Sequence, residues 1–353
     1  SVLTPTPNFF NNAGGVNSGS AGTLYSKFIP VASSGSFTGA TGANIQASMS
    51  PAKFNSNIID TNIQGLTATD YSASISLLNN KDDYNFNVVV APGLIGDSSF
   101  TNSLVQVNSL VALAENRQDC ITVVDPSAYG KTVSQTVASA TAFDSSYAAA
   151  YWPWLQAIDP TSGMTTWSPA SAFIPGVYSF TDASSEPWFA PAGLVRGALG
   201  NVIRAEQRLT SGQRDTLYSG NVNPIATFQA SGVVVFGQKT LQRRASALDR
   251  VNVRRLLIAV KSFIVQVSDN LVFEQNTIST RNNFLTQVNP YLESVQQRQG
   301  LYAFKVVMNE TNNTPDVIDR NELVGAIYLQ PTKTAEFIIL DFNVLPTGVD
   351  FPA

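Results

Sequence analysis

The chain of 353 residues has no histidine and a single cysteine, and charged side chains make up only 13% of it. Without histidine it lacks the commonest general base and the commonest metal ligand near neutral pH. Ser-His-Asp and Cys-His catalytic arrangements are excluded outright. A lone cysteine precludes an intrachain disulfide framework. Cys120 opens the run Cys-Ile-Thr-Val-Val and reads as a small core residue in a buried strand. The charge content is about half the usual share, which suits a surface that spends its life against other protein. A net charge of −4 gives none of the basic excess that nucleic-acid binding needs, so no nucleic-acid partner is expected. No apolar run approaches the ~18 residues of a bilayer span, so no integral membrane segment is expected, and there is no signal-peptide pattern. The chain opens on Ser1 instead of Met, which reads as a start inside a longer polypeptide.

What is present is an apolar fraction of 44%, enough for a substantial core and two or three domains. Residues 1–80 are rich in Gly, Ser, Thr, Asn and Ala, with punctuation such as Asn12-Ala-Gly-Gly15, and show no amphipathic helix. Short β segments and long turns follow, so 1–82 is assigned as an outer, mainly-β insertion. From Asp83 the pattern changes. Phe86–Ala91 and Ile121–Val124 read as buried strands. Leu104, Val107, Val111 and Ala114 between them recur at helical spacing, with Ser99 or Thr101 as cap. That is the length of a βαβ crossover. Val133, Val137 and Ala140 mark a further helix and Ala148–Trp152 a third strand, giving a partly parallel α/β layer over 83–237.

Beyond Thr210, Ser211–Ser219 reads as a short helix stopped by Gly220, and Phe228–Phe236 as a strand. Arg250–Phe273 and Thr280–Gln297 read as long helices, the second interrupted or bent at Pro290. Tyr302–Met308, Leu323–Leu329 and Ala335–Val344 close the chain as strands, so 238–353 is assigned as a C-terminal helix–sheet domain. The fold class is therefore α/β and α+β.

Few residues suggest chemistry. Gly130-Lys131-Thr132 lies between a strand and a helix, like a phosphate-binding loop, but Asp125 stands where such a loop needs glycine. An ordinary βα turn is the plainer reading, with Asp125 as a turn-forming aspartate. Tyr151-Trp152-Pro153-Trp154 reads as core or interface, not as a stacking platform for a base or sugar. No catalytic residue, cofactor or metal site is assigned. The charges are segregated, however. Lys239, Arg243, Arg244, Arg250, Arg254, Arg255 and Lys261 face one acid, Asp249, in their stretch; Glu310 to Asp350 is mostly acidic. Arg250, Arg254 and Lys261 fall within about 40° on one helix edge. These three, with Asp319, Glu322 and Asp341, are the candidate subunit or tube interface, because opposite charges on separate segments set register and partner choice.

An ordered set of short pieces completes the reading: Ala190-Pro-Ala-Gly193, Arg214-Asp-Thr-Leu-Tyr218, Asn223-Pro224-Ile225, Val233-Val-Val-Phe-Gly237, Asn252-Val-Arg-Arg-Leu256 and Ile318-Asp-Arg-Asn-Glu322. In this order they resemble contractile phage tail sheath proteins, over about residues 86–350. One departure is Gln275, where the family pattern has proline. The resemblance implies a non-enzymatic subunit that polymerises as stacked hexameric rings around an inner tail tube protein. Contraction then drives the tube through the host envelope for genome delivery. It also implies baseplate and tail terminator proteins as partners, a place in the virion, assembly in the host bacterial cytoplasm, and terminal strands that add to a neighbour's C-terminal sheet. The start at Ser1 and the mid-domain character of the opening residues lead us to expect that the N-terminal arm is missing here and that the chain cannot polymerise by itself. The alternatives are the large sheath subunit of a type VI secretion system or a pyocin-like particle, and an α/β hydrolase or nucleotide-binding enzyme.

Overall fold

The computed structural model describes residues 68–159, 163 and 165–336. The chain enters through a short helix, α1 (Tyr71–Leu77), inside the stretch expected to be strands and turns. Tyr71, Ile75 and Leu78 recur at helical spacing and pack against the core of the central layer, which explains the difference. The rest of the expected outer β insertion lies outside the described residues.

The central layer follows the expected alternation. β1 (Val88–Ile95), α2 (Thr101–Arg117), β2 (Ile121–Asp125), α3 (Val133–Ala140) and β3 (Ala148–Trp152) form two successive βαβ units with parallel pairing. Helix α2 starts without a side-chain cap: Phe100 holds the N-cap position, where Ser99 or Thr101 was expected. In contrast, Thr132 and Gln135 close a full capping box on α3.

A long excursion follows, carrying β4 (Leu155–Ile158), β5 (Thr165–Ser168), α4 (Ile174–Ser184), α5 (Gly193–Arg196) and β6 (Val202–Ala205). β5, β4 and β6 form a small antiparallel sheet that the sequence reading missed. The chain returns through α6 (Ser211–Ser219), capped by Thr210, to β7 (Val222–Phe228) and β8 (Gly232–Val235). The expected strand over Phe228–Phe236 is thus a hairpin: Gly232, at φ +70°, ends the turn and the strand before it begins at Val222. Pro224, which lacks an N–H, sits where β7 stops pairing with β3 and starts pairing with β8.

The five-stranded sheet runs β1-β2-β3-β7-β8, parallel except for β8. Both its faces are buried. Val124, Ala148, Ala150 and Trp152 face the core built with α2. Ile121, Val123, Ala149 and Tyr151 face the one that contains Ile174, Tyr178, Val251 and Ile258. Burial on both sides explains why these strands read as continuous apolar runs. Cys120 is fully buried at the entrance to β2, and burial pushes its thiol up to about 12, so it is an inert core residue as expected.

The C-terminal part consists of α7 (Val251–Asp269), α8 (Ile278–Gln297), β9 (Leu301–Val307), α9 (Pro315–Asp319) and β10 (Ala326–Pro331). Helix α7 ends four residues before the expected Phe273, which takes a left-handed φ of +71°. Pro290 removes one N–H from α8 without dividing it. β9 and β10 pair antiparallel, with Phe304, Val306, Ile327 and Leu329 packed toward α7 and α8. Of the expected closing strand, Phe337 onward lies outside the described residues.

One buried cation ties the entry segment to this frame. The Arg117 side chain is fully buried at the end of α2 and pairs with Asp119 at 2.8 Å. It also donates to the carbonyls of Leu78 (2.6 Å), Asn80 (3.1 Å) and Tyr84 (2.7 Å) and lies 4.3 Å from the Phe86 ring centroid. Replacing it would orphan three carbonyls and a carboxylate together. Arg117→Leu is expected to cost about 3 kcal/mol, read by urea denaturation; a loss below about 1 kcal/mol would show that these contacts hold nothing in place.

Candidate assembly interface

The described residues hold one group that resembles a catalytic acid or base by position and titration. Asp125 stands at the carboxyl end of β2, and burial pushes it up to about 7 despite hydrogen bonds from Ser171. Those bonds define its role. The Ser171 amide donates to Oδ1 at 3.0 Å and the Ser171 hydroxyl to Oδ2 at 2.5 Å, in the short helical turn Ala170–Ala172 that leads into α4. Both carboxylate oxygens are engaged, and the residue is 4% exposed. Asp125 is a clamp between the sheet and the following excursion, more than the turn former expected of it. The Gly130-Lys131-Thr132 turn is likewise engaged by protein: the Gly130 amide donates to Glu206 Oε1 at 2.6 Å, and Lys131 pairs with Asp97 at 3.5 Å. Tyr151, Trp152 and Trp154 are core residues, with the Tyr151 and Tyr178 hydroxyls 2.9 Å apart.

The surface of the C-terminal part is built differently. In the β9–β10 sheet each strand has one partner among the described residues, so each offers an edge of backbone groups not used in that pairing. Its inner face is fixed by the core around Leu292, Val295 and Leu301. Its outer face carries Tyr328 opposite Lys305 and Gln330 opposite Ala303. Such a sheet, locked on one side and, among the described residues, open along its edges, is suited to accept an added strand.

Where β10 ends, the chain turns back onto the central layer. Arg250 holds Glu336 in a fork, Nε to Oε1 at 2.6 Å and Nη2 to Oε2 at 3.0 Å, and pairs with Asp249 at 3.1 Å. The Tyr218 hydroxyl donates to Glu336 Oε2 at 2.7 Å, and Gln238 donates to Thr334 at 2.6 Å. Burial raises the Glu336 carboxyl, but the bonds from Arg250 and Tyr218 outweigh it and hold the group below its ordinary value. A cleft of about 590 Å³ lies beside this node, between residues 245–253 and 331–336.

Two matches divide this architecture. Residues 64–241 match the phage tail sheath protein central domain, and residues 244–345 match the phage tail sheath C-terminal domain. The chain belongs to the phage tail sheath family. It is 32% identical over 313 residues to the tail sheath protein of Vibrio phage KVP40, covering 80% of this chain and 46% of that one. Its identity to the tail sheath protein of Enterobacteria phage T4 is 33% over 303 residues, 81% of this chain and 46% of the relative. It therefore spans about half the length of these relatives. Among solved structures, a chain of the anti-feeding prophage baseplate matches with TM-score 0.66 at 25% identity, covering 79% of this chain and 74% of that one. The sheath complex of an extracellular contractile injection system in its contracted state also matches with TM-score 0.66 at 25% identity, covering 79% and 75%. The family and the mixed α/β fold thus agree with the sequence reading, and the relatives named are structural parts of contractile machines.

The expected interface residues of this sheath-family chain are not gathered into one free patch. Arg250 engages Glu336. Arg254 is buried, with its guanidinium 3.9 Å from the Tyr147 ring centroid and bonded to the Ser146 carbonyl at 3.2 Å and to the Ser146 hydroxyl. Lys261 donates to Gln118 Oε1 at 2.6 Å. Arg250 at the N-cap, and Arg254 and Lys261 within the helix, therefore fasten α7 to three places on the same chain. Asp319 is exposed, Glu322 pairs with Arg320 at 3.0 Å, and Asp341 lies outside the described residues. Sequence reasoning did not single out Glu336 or Tyr218 as partners, because they meet across more than a hundred residues of sequence and no local signal joins them.

Two pH experiments follow from these geometries. The folded Glu336 value lies below its ordinary 4.5, so its contribution is complete above 4.5 and is lost as pH falls through the folded value. The Tm difference between wild type and Glu336→Gln should be a few degrees at pH 7 and vanish on acidification; a pH-independent difference would contradict the clamp. Asp125 has the opposite sign. Its folded value of about 7 exceeds the ordinary 3.8, so its contribution is complete below 3.8 and is lost as pH rises through 7. Asp125→Asn should match or exceed the wild-type Tm at pH 8 and lose that advantage at pH 4; the reverse order would refute buried protonation.

Proposed function

We propose that this chain is the central and C-terminal part of a contractile tail sheath subunit that polymerises as stacked hexameric rings around an inner tube. Contraction of the rings drives the tube through a host envelope and so delivers the genome. The observation that carries this reading is the β9–β10 sheet, open along its edges among the described residues and packed on α8, within a chain of the sheath family. A terminal strand from a neighbouring subunit would complete such an edge through backbone hydrogen bonds, whose pattern tolerates sequence change. Subunits joined in this way stay connected while they rotate and slide. A difference of roughly a few kcal/mol per subunit between two packings, a usual size for a bistable element, sums to a large total along a tail.

The partners under this reading are further copies of the subunit, the tube protein, and the baseplate and terminator proteins at the ends of the tail. The place is the virion, after assembly in the bacterial cytoplasm. The phage reading is favoured over an injection system because the relatives at 32% and 33% identity are phage tail sheath proteins, whereas the injection-system structures match at 25%.

Electron microscopy of the full-length protein expressed alone tests the proposal. Hollow tubes built of stacked rings are the expected product. A protein that stays a single particle at high concentration and low salt would overturn it.

A further inference from the structure

The charge segregation seen in the sequence looks different once internal partners are subtracted. Of the basic stretch, Arg250, Arg254, Arg255 and Lys261 all bond within the chain, Arg255 to Asp182. Lys239 donates to the Tyr218 carbonyl at 2.7 Å, and the side chains left exposed with neither an ion pair nor a side-chain hydrogen bond among the described residues are Arg243 and Arg244. Of the acidic stretch, Glu336 and Glu322 are paired, which leaves Glu310, Asp316 and Asp319 exposed and without an ion pair among the described residues.

Both loops are fixed in shape. The Arg243 amide donates to Asp144 Oδ1 at 2.9 Å, and Gln242 donates to the Arg244 carbonyl at 2.7 Å and the Ser246 hydroxyl at 2.8 Å. The acidic loop is held from inside by Asn313, which is 2% exposed. Its amide donates to the Val324 carbonyl at 2.9 Å, and its side-chain oxygen accepts from the Val324 amide at 2.9 Å. Preorganised loops lose little freedom on docking. Each also carries apolar surface beside its charges: Ala245 and Ala247 on one, Ile318 and Val324 on the other.

We propose that the Arg243–Arg244 loop of one subunit docks on the Glu310–Asp319 loop of a second copy of this chain. This contact rests on the sheath reading above and gives it residues. The two loops differ and do not pair with each other within the chain, so the contact is heterologous: each subunit offers one surface and receives the other. Repetition of such a contact generates a ring or a helix, not a closed dimer. Charge complementarity selects a second copy as the occupant, since both halves of the pair are present on one polypeptide.

Charge reversal in the full-length protein tests it. Arg243→Glu with Arg244→Glu, and separately Asp316→Lys with Asp319→Lys, should each raise the concentration needed for assembly at least tenfold. The folds should be unchanged by circular dichroism and Tm, because all four side chains are exposed. The quadruple variant, with both surfaces reversed, should assemble near the wild-type concentration, and an equimolar mixture of the two double variants should co-assemble. Added salt should weaken wild type and quadruple variant alike. If both double variants assemble like wild type, or the quadruple variant is no better than either, the contact is wrong while the sheath reading stands. A defect confined to the arginine variant also overturns it, assigning that loop to another partner. A wild-type protein that never assembles would bring down the sheath reading and this contact together.

Discussion

A single helix belongs to two hydrophobic cores at once, and the rest of the molecule is arranged around that constraint. Val251 and Ile258 of α7 pack under the parallel sheet, whereas Leu256, Val260 and Val267 pack with α8 and the β9–β10 sheet. Nine positions of this helix are buried, among them Arg254 and Arg255, so it has little face left for solvent at its first two turns. Buried cations are tolerated there because each finds a partner: Arg254 a carbonyl and an aromatic face at Ser146 and Tyr147, and Arg255 the Asp182 carboxylate and Tyr178 ring of α4. A displacement of the C-terminal part would have to uncover apolar surface on both sides of the helix. The central layer and the β9–β10 sheet are thereby coupled mechanically.

That coupling fits the demands of a sheath subunit. Under the proposed function, a subunit that carries force through an added strand needs the β9–β10 sheet fastened to something rigid. Here the fastening is double. Apolar packing through α7 supplies most of the stabilisation, since each fully buried Leu or Val is worth about 1.5–3 kcal/mol. The fork of Arg250 on Glu336 adds direction: it fixes where the chain leaves β10. A hydrogen bond to a charged group is worth a similar amount, about 1.5–3 kcal/mol, but there are fewer of them than buried apolar side chains, and only one geometry satisfies them.

The low charge content makes pairing decisive. In a chain with 21 basic and 25 acidic residues, several of the basic ones that the sequence places together have internal partners among the described residues. Arg117, Arg250, Arg254 and Arg255 all look like surface charges in a linear sequence. Each instead terminates backbone groups or a carboxylate within the fold.

The parallel layer was legible because its cause is local and periodic. Phe86–Ala91, Ile121–Val124 and Ala148–Trp152 are short apolar runs separated by helical patterns, and strands buried on both faces must look like this. Thr132 and Thr210, each three residues ahead of a glutamine, announced the helices they cap. Less was legible where one signal overlay another. The hairpin of β7 and β8 hid behind Pro224, the helix α1 within a run of turn formers, and the β4–β5–β6 sheet in strands of four residues each. The candidate interface was the least legible part. Helical phase placed Arg250, Arg254 and Lys261 on one helix edge, but Arg250 is the extended N-cap of α7, and phase says nothing of what stands opposite each of them. Fold class, the absence of histidine chemistry and the separation of opposite charges are properties of the chain order alone. Which charges are quenched inside and which stay free was decided by the tertiary structure, because an ion pair depends on distance across space between segments far apart in the chain.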